Sequence, residues 1–311
     1  MLKLNELRAN VRTSKAFCGS LLLAAFLLPG AACADQTTAP AAAPRVEVSS
    51  ARISTAPRTI VFIHGMFMTP KAWDNWQAYF QARGYTTLAP AWPLHEGPIQ
   101  QQWSEASQAR LGKLTLDEVV ESYRQVLRRL PEKPIVIGHS MGGLVAQKLL
   151  AEGLAAQAVA IDSAPASGLI VLQWSFIRSN WPVISPFAPA NKAYAPSLES
   201  FRYAFANCLP DAESEFLYRN YIVPESRLVG RATSEKVAEI DFSQRHGPLL
   251  MLAGENDNII PASLNLKNFG KYSDESSVTN FHKFNNQCHA LIVDKHWKDV
   301  ADYVGVWLEN Q

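Results

Sequence analysis

Ile135-Val136-Ile137-Gly138-His139-Ser140-Met141-Gly142-Gly143 decides the reading of this chain. Its first three residues are β-branched and apolar, suited to a buried strand. The next five match G-x-S-x-G. The residues that follow read as a helix running to Glu152 and closed by Gly153. A strand, a sharp turn and a helix in that order expose a serine oxygen at the top of a sheet. The flanking glycines leave room for a strained backbone and for close helix packing. Ser140 is therefore a candidate nucleophile. A surface serine in a small-residue turn is the plain alternative.

The same rhythm extends outward in both directions. Upstream, Thr59-Ile-Val-Phe-Ile63 is an apolar run of strand length ended by His64-Gly65. Thr69-Pro70 reads as an N-cap and first helical residue, with the helix running to about Ala82 and Gly84 stopping it. Thr86 to Ala91 is a second short strand. Thr115-Leu-Asp-Glu118 is a capping box. After it, Leu116, Val119, Val120, Tyr123, Val126, Leu127 and Leu130 share one helical face. Downstream, Gln157–Ile161, Pro248–Leu252 and Val278–Phe284 read as strands. Val300, Ala301, Val304, Trp307 and Leu308 form the apolar stripe of a final helix.

Strands without polar alternation, separated by amphipathic helices, predict an α/β fold. Its sheet is mostly parallel and has helices on both faces. Residues 166–245 break the rhythm. They are rich in aromatic side chains, from Trp174 to Tyr221, and hold no clear strand. They read as a largely helical cap inserted over the strand ends, within a unit spanning 58–311.

A serine hydroxyl is a weak nucleophile until a base takes its proton, and the base needs an orienting carboxylate. Seven histidines are available. His64 belongs to the turn after the first strand, and His139 is the variable residue of the serine motif. His289 follows the last predicted strand in a loop and is the chosen base. His282 lies inside that strand, and His296 reads as a surface residue. Asp257 follows the strand Pro248–Leu252, at the sheet end where α/β folds collect functional groups. It is the chosen acid. Glu255 reads as solvated. Asp162, after the fourth strand, is the rival, with a turn or capping role as its plain alternative. Backbone N–H groups of Met141 and Met66 are the expected oxyanion donors, with Phe67 the alternative to Met66.

These residues together resemble an α/β-hydrolase. The resemblance rests on Phe62-Ile-His-Gly65, Gly138-His-Ser-Met-Gly-Gly143, Gly254-Glu-Asn-Asp257 with Ile259-Ile-Pro261, and His289, in the order serine, acid, histidine. It spans about Arg58 to Glu309. It implies an eight-stranded-type core with a cap between the fourth and fifth strands above. The branch it most resembles holds capped serine esterases, lysophospholipase-like enzymes and cofactor-free haloperoxidases. The activity implied is cleavage of carboxylic esters through an acyl-enzyme. The same triad also serves perhydrolysis and amide, thioester or C–C bond cleavage, and a non-catalytic binding protein on this fold is a further alternative. Fold alone does not choose among them.

The N-terminus reads as an address. Lys3, Arg8, Arg12 and Lys15 precede a 13-residue apolar run, Ala16–Leu28. Pro29-Gly30 breaks it, and Ala32-Cys33-Ala34 supplies an A-x-A exit. Residues 1–34 are thus a secretory signal peptide, and the run is short for a membrane span of about 20 residues. Lipidation at Cys33 is a second reading, although Gly30 stands where the bacterial pattern prefers Leu. Residues 35–57, rich in Ala, Pro, Ser and Thr, read as a flexible lead-in.

Hydrophobic residues make up 48% of the 311 and charged residues 18%, which excludes wholesale disorder. The net charge is +1 over the full chain. Without residues 1–34, 25 basic against 27 acidic residues remain. Neither balance suits a phosphate-tracking surface, so no nucleic-acid partner is expected. No further apolar run is long enough to span a bilayer. No metal-ligand spacing, phosphate loop or dinucleotide fingerprint is visible, so no cofactor is implied. The expected partner is a small ester or acyl substrate. Only Cys208 and Cys288 remain after position 34, and a disulfide and two free thiols both stay open.

Overall fold

The computed structural model describes residues 57–311. The signal peptide, Cys33 and the lead-in before Pro57 lie outside them. The predicted apolar runs become β1 (Thr59–Ile63), β2 (Thr86–Leu88), β3 (Ile135–His139) and β4 (Gln157–Ile161). After them come the two-residue strands β5 (Ala193–Tyr194) and β6 (Glu225–Ser226), then β7 (Leu249–Gly254) and β8 (Thr279–Phe284). Six of the eight form one sheet in the order β2-β1-β3-β4-β7-β8, and β5 pairs with β6 alone. Every neighbouring pair in the large sheet is parallel. The resemblance implied an eight-stranded type. Among the described residues six strands form the sheet.

Successive side chains of a strand point to opposite faces, and here each face meets its own core. Ile60, Phe62, Ile135, Ile137, Val159, Ile161, Leu250 and Leu252 pack on one side, against Trp73, Trp76 and Phe80. Val61, Ile63, Val136, Ala158, Ala160, Leu249 and Met251 pack on the other. Burial on both faces explains why these strands show no polar alternation.

The helices are α1 (Asp74–Gln81), α2 (Ile99–Gln102), α3 (Glu105–Leu111), α4 (Leu116–Arg128) and α5 (Met141–Ala151), then α6 (Trp174–Ile184), α7 (Leu198–Ala204), α8 (Asp211–Tyr221) and α9 (Arg227–Arg231), and finally α10 (Ala262–Phe269) and α11 (Trp297–Glu309). The core beneath α1 also contains Val300, Ala301 and Val304 of α11. The opposite core contains Val119, Val120 and Tyr123 of α4, Leu144 and Val145 of α5, and Leu264 of α10. Thr115 caps α4 as predicted: its Oγ1 accepts the Glu118 N–H, and Glu118 Oε2 accepts the Thr115 N–H at 2.8 Å. Thr69 makes no such bond, and Pro70 opens a 3₁₀ turn that leads into α1. Strand β2 stops at Leu88, two residues before Pro90, which has no N–H to give a ladder.

Residues 166–245 contain α6 to α9, two 3₁₀ turns and the β5–β6 pair. The sequence gives no hint of that pair, because two residues carry no periodicity. Val183, Phe201, Phe205, Leu217 and Val229 from this stretch join the core that α4, α5 and α10 cover. No helix of the described residues is long and apolar enough to cross a membrane.

Cys208 and Cys288 are bonded to each other across 80 residues of sequence, with Cα atoms 5.7 Å apart. The bond ties the loop after α7 to the residue preceding His289. Closing a loop of that length removes about 4 kcal/mol of unfolded-chain entropy. Reduction should therefore lower Tm by on the order of 10 °C for a unit of this size. Thermal melts with and without a reductant test this, and an unchanged Tm would contradict it.

Candidate active site

Strand β3 ends at His139 and α5 begins at Met141, leaving Ser140 alone in the turn. Its φ is 58° and ψ −121°, a backbone region that costs a non-glycine residue on the order of 1–3 kcal/mol. Surrounding bonds over-determine the turn. The Ser140 N–H donates to Ile161 O at 2.9 Å, and Ser140 O accepts the N–H groups of Gly143 and Ala164 at 2.9 Å each. A Cβ on Gly138 would lie 2.0 Å from Gly142 O, and one on Gly142 would lie 2.2 Å from Ile63 O. Both glycines of the motif are therefore obligatory for close approach.

The chain leaves β1 toward β2 on one side and returns to β3 on the other. The strand order thus reverses between β1 and β3, which opens a crevice at their carboxyl ends. The loop after β1 and the Ser140 turn flank it. Met66, Phe67, Ser140 and Met141 line one cavity there, with Phe176 and Val183 from the 166–245 stretch opposite. The cavity is small, about 50 Å³. The N–H groups of Met66, Phe67 and Met141 make no hydrogen bond among the described residues. Larger open clefts are also present: one of about 530 Å³ adjoins this cavity, sharing Pro165, Phe176, Ile184 and Thr233 with its lining, and one of about 470 Å³ beside Lys71 and Arg219 contains none of the chosen site residues. Chemistry rather than volume selects the site.

Asp257 and His289 come from the loops after β7 and β8 and meet at 2.6 Å, His289 Nδ1 to Asp257 Oδ2. Both are buried. Asp257 Oδ1 also accepts the N–H groups of Ile259 at 2.7 Å and Ile260 at 2.8 Å. Because Asp257 accepts at Nδ1, the His289 proton sits there and Nε2 keeps its lone pair. That Nε2 has no hydrogen-bond partner. Burial drives the His289 imidazole down to about 3, so it rests neutral. Burial pushes the Asp257 carboxyl well up, and the two backbone N–H groups and Asp162 offset only part of that rise. Phe205 presents its ring to His289 edge-on, 5.0 Å between centroids. No hydrogen bond joins Ser140 Oγ to His289 among the described residues.

The other sequence candidates fall elsewhere. Asp162 is buried with φ 42°, and its Oδ1 accepts the Gly254 N–H at 2.7 Å. It is not the partner of His289 Nδ1. His282 stacks on Tyr303. Glu255 pairs with Lys283 at the surface, and His296 is half-exposed. His64 is buried, stacked on Trp92, and its Nε2 accepts the Trp92 N–H at 3.2 Å. His139 donates from Nε2 to the carbonyl of His289 at 2.9 Å. Nothing at the variable position of a G-x-S-x-G motif signals that contact. Also unsignalled is the buried pair His95 and Glu225, 3.0 Å apart, which joins the loop after β2 to β6. His139, Asp162 and His289 each bring one potential ligand atom within 4.8 Å of the others. His139 and His289 each already commit one ring nitrogen to a hydrogen bond, so the group reads first as a polar network.

A family model described as the alpha/beta hydrolase family matches residues 60–279. No curated protein matches the chain. Among solved structures, a monoacylglycerol lipase from Paleococcus ferrophilus is 18% identical with a TM-score of 0.59, covering 81% of this chain and 95% of that one. An extracellular alpha/beta-hydrolase from a Paenibacillus species is 20% identical with a TM-score of 0.59, covering 80% and 98%. A methylesterase from Arabidopsis is 12% identical with a TM-score of 0.58, covering 81% and 99%. At such identities the structures speak to the fold alone. With the family model spanning most of the chain and the strand order agreeing, this protein belongs to the α/β-hydrolase family.

Proposed function

We propose that the chain is an exported serine hydrolase that cleaves carboxylic esters through an acyl-enzyme. The observation that carries this is the Asp257–His289 contact at 2.6 Å with Nε2 of the same ring left free. An imidazole held in that tautomer is a general base awaiting a proton. Ser140 attacks the acyl carbon and His289 Nε2 takes its proton. The tetrahedral oxyanion falls to the open N–H groups of Met66 and Met141, the latter at the positive end of α5. His289 then returns the proton to the departing alcohol, and water releases the acyl group by the same steps. Residues 166–245 act as the cap that walls the acyl pocket. Similarity to proteins named lipase and methylesterase fits this class. Export is supported by the Cys208–Cys288 disulfide, a bond that belongs to oxidising compartments.

Ser140→Ala is expected to lower the hydrolysis of short p-nitrophenyl esters by on the order of 10⁴-fold or more and to abolish fluorophosphonate labelling. A mutant that labels as well as the wild type would refute the assignment. The pH profile follows from burial. Protonated His289 cannot act as base, and with burial disfavouring that form more than the Asp257 carboxylate at 2.6 Å favours it, the acid limb is expected below the ordinary histidine value of 6.5. An acid limb of kcat/KM at or above 6.5 would show that the charge on Asp257 outweighs burial. The narrow cavity predicts a preference for short acyl groups. Val183 lies against Gly230, where an added Cβ would meet it at 2.5 Å, so Val183 bounds the space. Val183→Ala should raise turnover of medium-chain relative to short-chain esters, and an unchanged ratio across a chain-length panel would place the acyl group elsewhere.

A further inference from the structure

Asp162 has no part in the reaction as drawn, yet it is fully buried at the heart of the site. It follows the last residue of β4, the strand between β3 and β7. Its side chain therefore lies between the Ser140 turn and the Asp257 loop. A turn or capping residue would aim its carboxylate at its own backbone or at solvent. Asp162 instead crosses to the next strand, where Oδ1 accepts the N–H of Gly254 at 2.7 Å, 92 positions away in sequence. Its backbone is fixed as well: the Asp162 N–H donates to Leu252 O at 2.8 Å, and Asn265 Oδ1 accepts the Ser163 N–H at 3.0 Å. The φ of 42° is a left-handed conformation that Asp and Asn tolerate better than most residues.

The other oxygen, Oδ2, is buried and receives no N–H or O–H donor. The carboxyl of Asp257 faces Asp162 within hydrogen-bonding range. His139 and His289 are the other titratable groups against it. No Lys or Arg acts on either carboxyl among the described residues. Two carboxylates enclosed together without a cation cannot both stay ionised. The donor count decides which one keeps the charge. Asp257 receives three N–H groups, from Ile259, Ile260 and His289. Asp162 receives one.

We infer that Asp162 is a positioning residue: a neutral carboxylic acid whose Oδ2–H donates to the Asp257 carboxylate and fixes the acceptor that orients His289. The inference rests on the triad reading above for its catalytic consequence, but not for the location of the proton. Burial and the charge of Asp257 both push the Asp162 carboxyl up, in agreement. The fourth donor disperses the charge of Asp257 and removes its freedom to rotate away from Nδ1. His289 itself stays neutral at rest, so the buried cluster carries one negative charge instead of two.

Two substitutions and two readouts test this. Asp162→Asn keeps an N–H donor toward Asp257, an oxygen for the Gly254 N–H, and the left-handed backbone. Asp162→Gly keeps the backbone and removes the donor. Losing a hydrogen bond to a charged group should lower kcat/KM of Asp162→Gly by about 10-fold or more and move its acid limb to higher pH. Asp162→Asn should recover most of that loss, to within about threefold of the wild type, with its acid limb unmoved. Infrared difference spectra at neutral pH supply the activity-independent readout. The wild type should show the carbonyl stretch of a protonated carboxyl group that Asp162→Asn lacks. An acid limb displaced in Asp162→Asn, or no such band lost, would mean that Asp162 is ionised, and would overturn the inference. Wild-type activity in Asp162→Gly would overturn the positioning role. Should the wild type lack Ser140-dependent hydrolysis, the proposed function fails on its own, and the infrared band still decides where the proton sits. Should Asp162→Gly not fold, Asp162→Asn still carries both readouts.

Discussion

The contact between the start of α5 and the end of β1 constrains everything else in this site. Gly142 lies so close to Ile63 O that a single added carbon would overlap it. That approach forces the chain from β3 into α5 through one residue, and that residue is Ser140. The strain at Ser140 is on the order of 1–3 kcal/mol. Against it stand a helix whose Leu144, Val145 and Leu149 are buried in the core and three backbone hydrogen bonds around the turn. The strained geometry is thus held by the most buried part of the molecule. The same packing places Met141, the first residue of α5, in the lining of the cavity beside the serine.

The second constraint is electrostatic. Asp162, Asp257, His139 and His289 sit in one buried cluster, where an ionised group is costly unless donors surround it. Asp257 is surrounded: two N–H groups of its own loop and the imidazole reach it. The cost of burial then becomes useful, because it keeps His289 neutral and its Nε2 available. Geometry at the other end of the ring is enforced by different means. His139 holds the carbonyl of His289, Phe205 lies against its edge, and the disulfide anchors the preceding residue. The histidine loop has no strand or helix of its own, and these three contacts do that work instead.

Much of this was legible in the sequence, for a definite reason. The serine turn, the capped helix α4 and the buried strands are set by local spacing, and each is found within a few residues of its predicted bounds. Asp257 and His289 were readable because topology places loops after β7 and β8 at the same sheet end as the serine. The sequence favours Asp257 over Asp162 without excluding the rival. Both follow strands at that end, and only the three-dimensional course of the chain delivers one of them to His289 Nδ1. For the same reason the sequence leaves the Cys208–Cys288 bond open and carries no sign of the His139 contact or the His95–Glu225 pair. Each joins segments 80 or more residues apart, and no local pattern encodes a partner at that distance.

The narrowness of the cavity follows from how the 166–245 stretch is fastened. Helix α6 supplies Phe176 and Val183 to the cavity wall. Its last turn is held by two arginines from the segment around α9. Arg227 donates to the carbonyls of Pro182 and Lys192 at 2.9 Å each. Arg231 donates to those of Val183 at 2.9 Å, Ser185 at 2.6 Å and Ala188 at 2.8 Å. The bonds to Pro182, Val183 and Ser185 satisfy carbonyls at a helix end that would otherwise need solvent, and those to Ala188 and Lys192 tie down the chain beyond it, since a guanidinium can serve several carbonyls at once. Both arginines thus fasten the end of α6 to α9. Under the proposed function, selection in this pocket is therefore set by side-chain size at positions such as Val183, on a backbone that the two arginines fasten.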